Sequence, residues 1–139
     1  MLLLPAAIAL LCAGVAVADS RLAELDADTR EMLQMLHNTC VEQTGVDEGL
    51  IDKARHGDFS EDDKLKEYLG CAFQQTGALS EDGEADYDTL LGMLPDQFQE
   101  RAGKMIDKCR HIRENSAAAT AFELNKCLYK ADPEYYFII

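Results

Sequence analysis

Four cysteines, Cys40, Cys71, Cys109 and Cys127, restrict this chain more than any other feature, because an even set in a short exported polypeptide reads as a disulfide framework. Export is read from the N-terminus. Residues 1–18 form an apolar run with no charged side chain and close on Ala16-Val17-Ala18, the small-residue pattern of a secretory signal cleaved after Ala18. A membrane anchor fits less well, since the run stops at Asp19 without a basic flank and sits at the short end for a spanning helix. Cleavage removes the fifth cysteine, Cys12, and taking residues 1–18 from the 139 leaves 121, enough for one domain over 19–139 with one modest core and two bridges. Four cysteines permit three pairings, and the residues themselves do not choose among them.

The periodicity is helical throughout. Pro95 and Pro133 are the only prolines after residue 18, and apolar residues recur at spacings of three and four. A first helix is expected from about Asp28 to Thr44, with Met32, Leu33, Leu36 and Cys40 on one face and Gly45 ending it. Asp47 caps a short second helix that runs to Gly57. Ser60 and Asp63 resemble a capping box that opens a third, through Tyr68, Cys71 and Phe73 to Gly77. After the polar loop from Ser80 to Asp86, a short fourth helix carries Leu90, Leu91 and Met93 and stops at Pro95. Phe98, Ala102, Met105, Cys109 and Ile112 mark a fifth, broken at Asn115 or Ser116, and a sixth follows through Ala118, Phe122 and Tyr129. The fold class is therefore all-α, a compact six-helix bundle with short connections.

Charge and motif content remove several classes of function. The chain has 13 basic against 26 acidic side chains and no Lys- or Arg-rich tract, so neither nucleic acid nor an anionic membrane is an expected partner. His37, His56 and His111 fall on separate stretches with no zinc motif, and no Gly-rich phosphate loop is present, which argues against an enzyme and against any cofactor. Asp82, Glu84, Asp86 and Asp88 alternate like calcium ligands, but Tyr87 stands where such a loop turns on Gly and Met93 where a Glu closes the shell. No metal site is expected. A secreted phospholipase lacks its His-Asp pair here, and a saposin-like module, with a different cysteine framework, is the distant alternative.

The cysteine map resembles the insect odorant-binding proteins, also called pheromone and general odorant-binding proteins. Intervals of thirty, thirty-seven and seventeen residues look like that family's six-cysteine pattern with the second and fifth cysteines replaced by Glu67 and Ala118, as in its four-cysteine minus-C branch. The segment Lys64-Leu65-Lys66-Glu67-Tyr68-Leu69-Gly70-Cys71 is similar to the family's third helix. The resemblance implies bridges Cys40–Cys71 and Cys109–Cys127, each contributing roughly 3 to 4 kcal/mol by loop closure. It also implies a secreted carrier for a small hydrophobic ligand, with transient contact to a membrane receptor, working as a monomer or weak homodimer.

A carrier needs apolar walls, and the candidates are Met32, Leu36, Tyr68, Phe73, Met93, Phe98, Met105, Ile112, Phe122 and Phe137, with Met supplying adaptable surface. A hydroxyl from Tyr68, Tyr129, Tyr135 or Tyr136 is expected to orient the ligand. The run Tyr135-Tyr136-Phe137-Ile138-Ile139 is too apolar to trail in water. It is expected either to pack in a surface groove or between chains, or to fold back past Pro133 as part of the pocket wall. The competing class is a structural or interaction protein that presents the same bundle without a ligand pocket.

Overall fold

Five of the helices start where a short polar side chain satisfies a free N–H group, and a sixth starts at a proline. The computed structural model describes residues 20–139, so the expected signal segment and Cys12 lie outside the described residues. A single turn, α1 (Ser20–Ala23), leads to α2 (Ala27–Thr44), whose first turn is capped by Asp26 accepting from the Thr29 N–H at 2.8 Å. Gly45, at φ 65°, ends α2 as its sequence implies. Asp47 caps α3 (Glu48–Arg55) through the Gly49 N–H. The cap of α4 (Asp63–Gln75) departs from expectation: Asp62, not Ser60, accepts from the Leu65 N–H at 2.9 Å, because Ser60 lies a half-turn too early to reach that donor.

The loop after α4 closes with an antiparallel bridge between Leu79 and Ala85 before Asp86 caps α5 (Tyr87–Gly92). Pro95 begins α6 (Asp96–Cys109), which ends at Arg110, well short of the expected break at Asn115. Ile112 therefore falls outside the helix. Ser116 caps α7 (Ala117–Ala131) through the Ala119 N–H. Among the described residues, the six expected helices are present, joined by the N-terminal turn.

Two bridges staple four of these helices in pairs. Cys40 on α2 bonds Cys71 on α4, and Cys109 on α6 bonds Cys127 on α7, with Cα separations of 5.8 and 5.9 Å. The central contact is α4 against α7. It is close because Gly70 has no side chain: a β-carbon there would stand 3.0 Å from the Cα and N of Ala118. Leu65, Tyr68 and Leu69 of α4 and Ala121, Phe122 and Leu124 of α7 are buried along this seam, joined by Ile51, Ala54 and Ile106.

Candidate functional site

Facing helical stripes leave an apolar cavity of about 190 Å³ on one side of the α4–α7 seam. Leu33 and Leu36 come from α2; Leu69, Ala72 and Phe73 from α4; Leu90, Met93 and Leu94 from α5 and its exit; Phe98, Ala102, Met105 and Ile106 from α6; Asn125 and Leu128 from α7. Tyr135 to Ile139 complete the wall. The volume exceeds the roughly 150 Å³ of an apolar cavity that holds one benzene, yet lies below the range of about 300 to 1,000 Å³ typical of drug-sized sites. Among the described residues, no Lys, Arg or His lines it.

Of the ten residues proposed from sequence, the fold brings Leu36, Phe73, Met93, Phe98, Met105 and Phe137 onto this wall. Four stand elsewhere. Met32 is 55 % exposed, because the Cys40–Cys71 bridge sets the rotation of α2 so that Leu33, Leu36 and His37 turn inward instead. Phe122 is buried on the far face of α7, edge-on to Phe59 at 6.2 Å and beneath the ammonium groups of Lys66 and Lys126. Ile112 lies past the end of α6, its carbonyl accepting from the Tyr87 hydroxyl at 3.4 Å. Tyr68 is wholly buried, and its hydroxyl is committed to the chain terminus.

The tail is held at both ends. Asp132 accepts two hydrogen bonds from Arg101, from Nε at 2.6 Å and Nη2 at 2.9 Å, and that donation keeps the carboxyl below the usual carboxylate range. Further on, the Tyr136 hydroxyl donates to Asn125 Oδ1 at 2.8 Å, Arg55 donates to the Ile138 carbonyl at 3.3 Å, and Tyr68 donates to an Ile139 oxygen at 2.6 Å. Tyr68 has only one proton, so it accepts from His37 Nδ1 at 2.8 Å, while His37 Nε2 faces Glu48 at 2.8 Å. Burial drives the Tyr68 phenol upward, so the hydroxyl keeps that proton, although nearby Arg55 pulls the other way. Ile139 also borders a second recess of about 210 Å³ that contains Arg30, His37 and Arg55.

Of the four tyrosine hydroxyls considered from sequence, that of Tyr129 reaches the His56 carbonyl at 3.1 Å, away from the wall. Tyr135 and Tyr136 are wall residues. Sequence reasoning missed Asn125, which is 4 % exposed. A polar residue set within the apolar stripe of Ala121, Leu124 and Leu128 was the available signal.

The model of the family described as "PBP/GOBP family" matches residues 22–131. The B2 protein of Tenebrio molitor is 36% identical over 120 residues, covering 83% of this chain and 93% of that protein. Among solved structures, an odorant-binding protein of Locusta migratoria superposes with a TM-score of 0.69 at 28% identity, covering 75% of this chain and 81% of that one. The fatty acid binding protein from the oral disk of the blowfly Phormia regina superposes with a TM-score of 0.60 at 27% identity, covering 79% and 96%.

Proposed function

The chain belongs to the PBP/GOBP family of insect odorant-binding proteins, and from that premise we propose that it is a secreted carrier holding one small hydrophobic molecule in the cavity among α2, α4, α5, α6 and α7. The observation that carries this reading is the cavity itself. A bundle whose only task was to present a surface has no reason to leave about 190 Å³ of unfilled apolar space between its helices and tail, since unfilled volume forfeits dispersion contacts. Residues 1–18 act as the export signal in this reading, and the two disulfides suit the extracellular fluid to which it leads.

The ligand is recognised mainly by shape and apolar area, with Met93 and Met105 adapting the wall to different outlines. Tyr135 to Ile139 form its lid. The blowfly relative, a fatty acid binding protein, supports a cargo with an apolar chain. The test is displacement of an environment-sensitive fluorescent probe from the mature protein, residues 19–139, by apolar alcohols, esters and fatty acids. Saturable displacement at one site per chain is expected. Absence of saturable binding to folded protein rejects the carrier and leaves the interaction-protein reading.

A further inference from the structure

The cavity wall contains a polar pair whose hydrogen-bonding capacity is not exhausted by the protein. Asn125 Nδ2 donates to the Ala121 carbonyl at 2.7 Å, and Asn125 Oδ1 accepts from the Tyr136 hydroxyl at 2.8 Å. The amide cannot be turned over, because Oδ1 would then face the Ala121 carbonyl oxygen, two acceptors with no proton between them. A primary amide carries two N–H groups, and Ala121 takes one. A phenol that has donated its proton still has lone pairs to offer. Tyr136 remains a phenol, since burial pushes its ionisation well above the ordinary tyrosine range.

Both residues line the cavity, and both are almost wholly buried, at 4 % exposure each. Among the described residues the wall carries no Lys, Arg or His, and beside Tyr135 its other polar side chain, Thr76, donates its hydroxyl to the Phe73 carbonyl, so the cavity offers the Asn125 N–H donor beside the Tyr136 phenolic acceptor in a mainly apolar setting. A hydrocarbon leaves the buried N–H unmatched. A carboxylate brings a charge that nothing on this wall neutralises, which is costlier still. A neutral oxygen function matches the pair: a ketone or ester oxygen accepts from Asn125, and an alcohol both accepts from Asn125 and donates to Tyr136.

We propose that Asn125 and Tyr136 are the specificity-determining anchor of the cavity, selecting neutral oxygenated ligands, namely ketones, esters and alcohols, over hydrocarbons and ionised acids. The proposal rests on the carrier reading and adds the chemistry of its cargo.

The test uses mature protein with 2-octanone and 2-methyl-1-octene, which share one shape and differ only in the oxygen. In Asn125→Leu the preference for ketone relative to alkene should fall about tenfold, the worth of one buried hydrogen bond. In Tyr136→Phe the preference for 1-octanol relative to 2-octanone should fall about threefold or more, because only the alcohol uses the phenolic acceptor. The ratios cancel any general loosening of the site. A second readout needs no variant: in unmodified protein, the side-chain amide resonance of Asn125 should shift saturably with 2-octanone and stay in place with the alkene. That measurement decides the matter if Asn125→Leu does not fold. Unchanged ratios in folded variants, an Asn125 amide unmoved by saturating ketone, or tighter binding of octanoate than of 2-octanone overturns the anchor. If the alkene binds while these controls fail, only the anchor is lost; if neither compound binds, the carrier reading fails with it.

Discussion

Deleting Glu134 to Ile139, so that the chain ends at Pro133, should open the cavity without unfolding the bundle. Tyr136 and Ile138 are buried and Tyr135, Phe137 and Ile139 half-buried. At about 1.5 to 3 kcal/mol for each fully buried large side chain, and half that for the others, the segment gains roughly 5 to 10 kcal/mol of apolar burial. The bonds Tyr136–Asn125, Tyr68–Ile139 and Arg55–Ile138 add about 0.5 to 1.5 kcal/mol each. Against this, ordering six residues costs about 1.5 kcal/mol per residue, roughly 9 kcal/mol in all. The terms nearly cancel, so the tail is held by a few kcal/mol at most.

The expected result is a cooperatively folded truncation whose Tm falls by about 10 °C or less, as a loss of ~2 kcal/mol in a domain of this size implies. Probe affinity should weaken about tenfold, because five wall residues leave together. Circular dichroism and probe titration measure both quantities. A folded truncation with unchanged affinity would show that the tail is packing and not a lid.

Three further outcomes are expected. Glu67→Cys together with Ala118→Cys should form a third bridge and raise stability by at most about 4 kcal/mol, the ceiling for a loop of about 50 residues; thiol titration and thermal melting check it, and two persistent free thiols would contradict the α4–α7 geometry. Gly57→Ala should cost about 2 to 3 kcal/mol in denaturant unfolding, because the residue sits at φ 86° and its β-carbon would meet the Tyr129 ring at 2.3 Å, displacing a hydroxyl bonded to His56. Arg101→Gln should weaken the acid-side fall in Tm: the Asp132 carboxyl, lowered chiefly by its bond from Arg101, stabilises the fold at neutral pH and loses that contribution as pH falls through its depressed value.

Helix positions were legible because they depend on local chemistry. Asp47 and Ser116, and the glycine after Thr44, act at the chain positions where a helix must begin or end. The end of α6 was not legible, since Ile112 continues the apolar spacing and the break at Arg110 depends on tertiary contacts, including the Tyr87 hydroxyl reaching the Cys109 and Ile112 carbonyls. The cavity wall was half legible for a related reason. Spacing shows that a helix has an apolar stripe, but Phe122 and Leu128 both belong to the apolar content of α7 and face different neighbours. Which of them meets the cavity follows from the rotation of α7 against α4, and that is set by the backbone contact of Gly70 with Ala118.

The bridges divide the bundle into two stapled pairs, α2 with α4 and α6 with α7, and among the described residues no disulfide crosses from one pair to the other. The cavity sits on that uncrossed seam: Leu36, Leu69 and Phe73 belong to one pair, Met105, Asn125 and Leu128 to the other. What spans the seam is packing, Gly70 against Ala118, and the tail, which bonds Tyr68 of the first pair through Ile139 and Asn125 of the second through Tyr136. Positions 67 and 118, where the resemblance places the family's third bridge, lie on this same seam, one turn from Gly70 and at its contact point. With Glu67 and Ala118 there, no disulfide ties the two halves of the cavity wall together at these positions. The buried α4–α7 packing resists their separation at the core, whereas the tail is seated by a few kcal/mol at most, so it is the tail that can release without exposing the core and that governs the ease of entering the cavity.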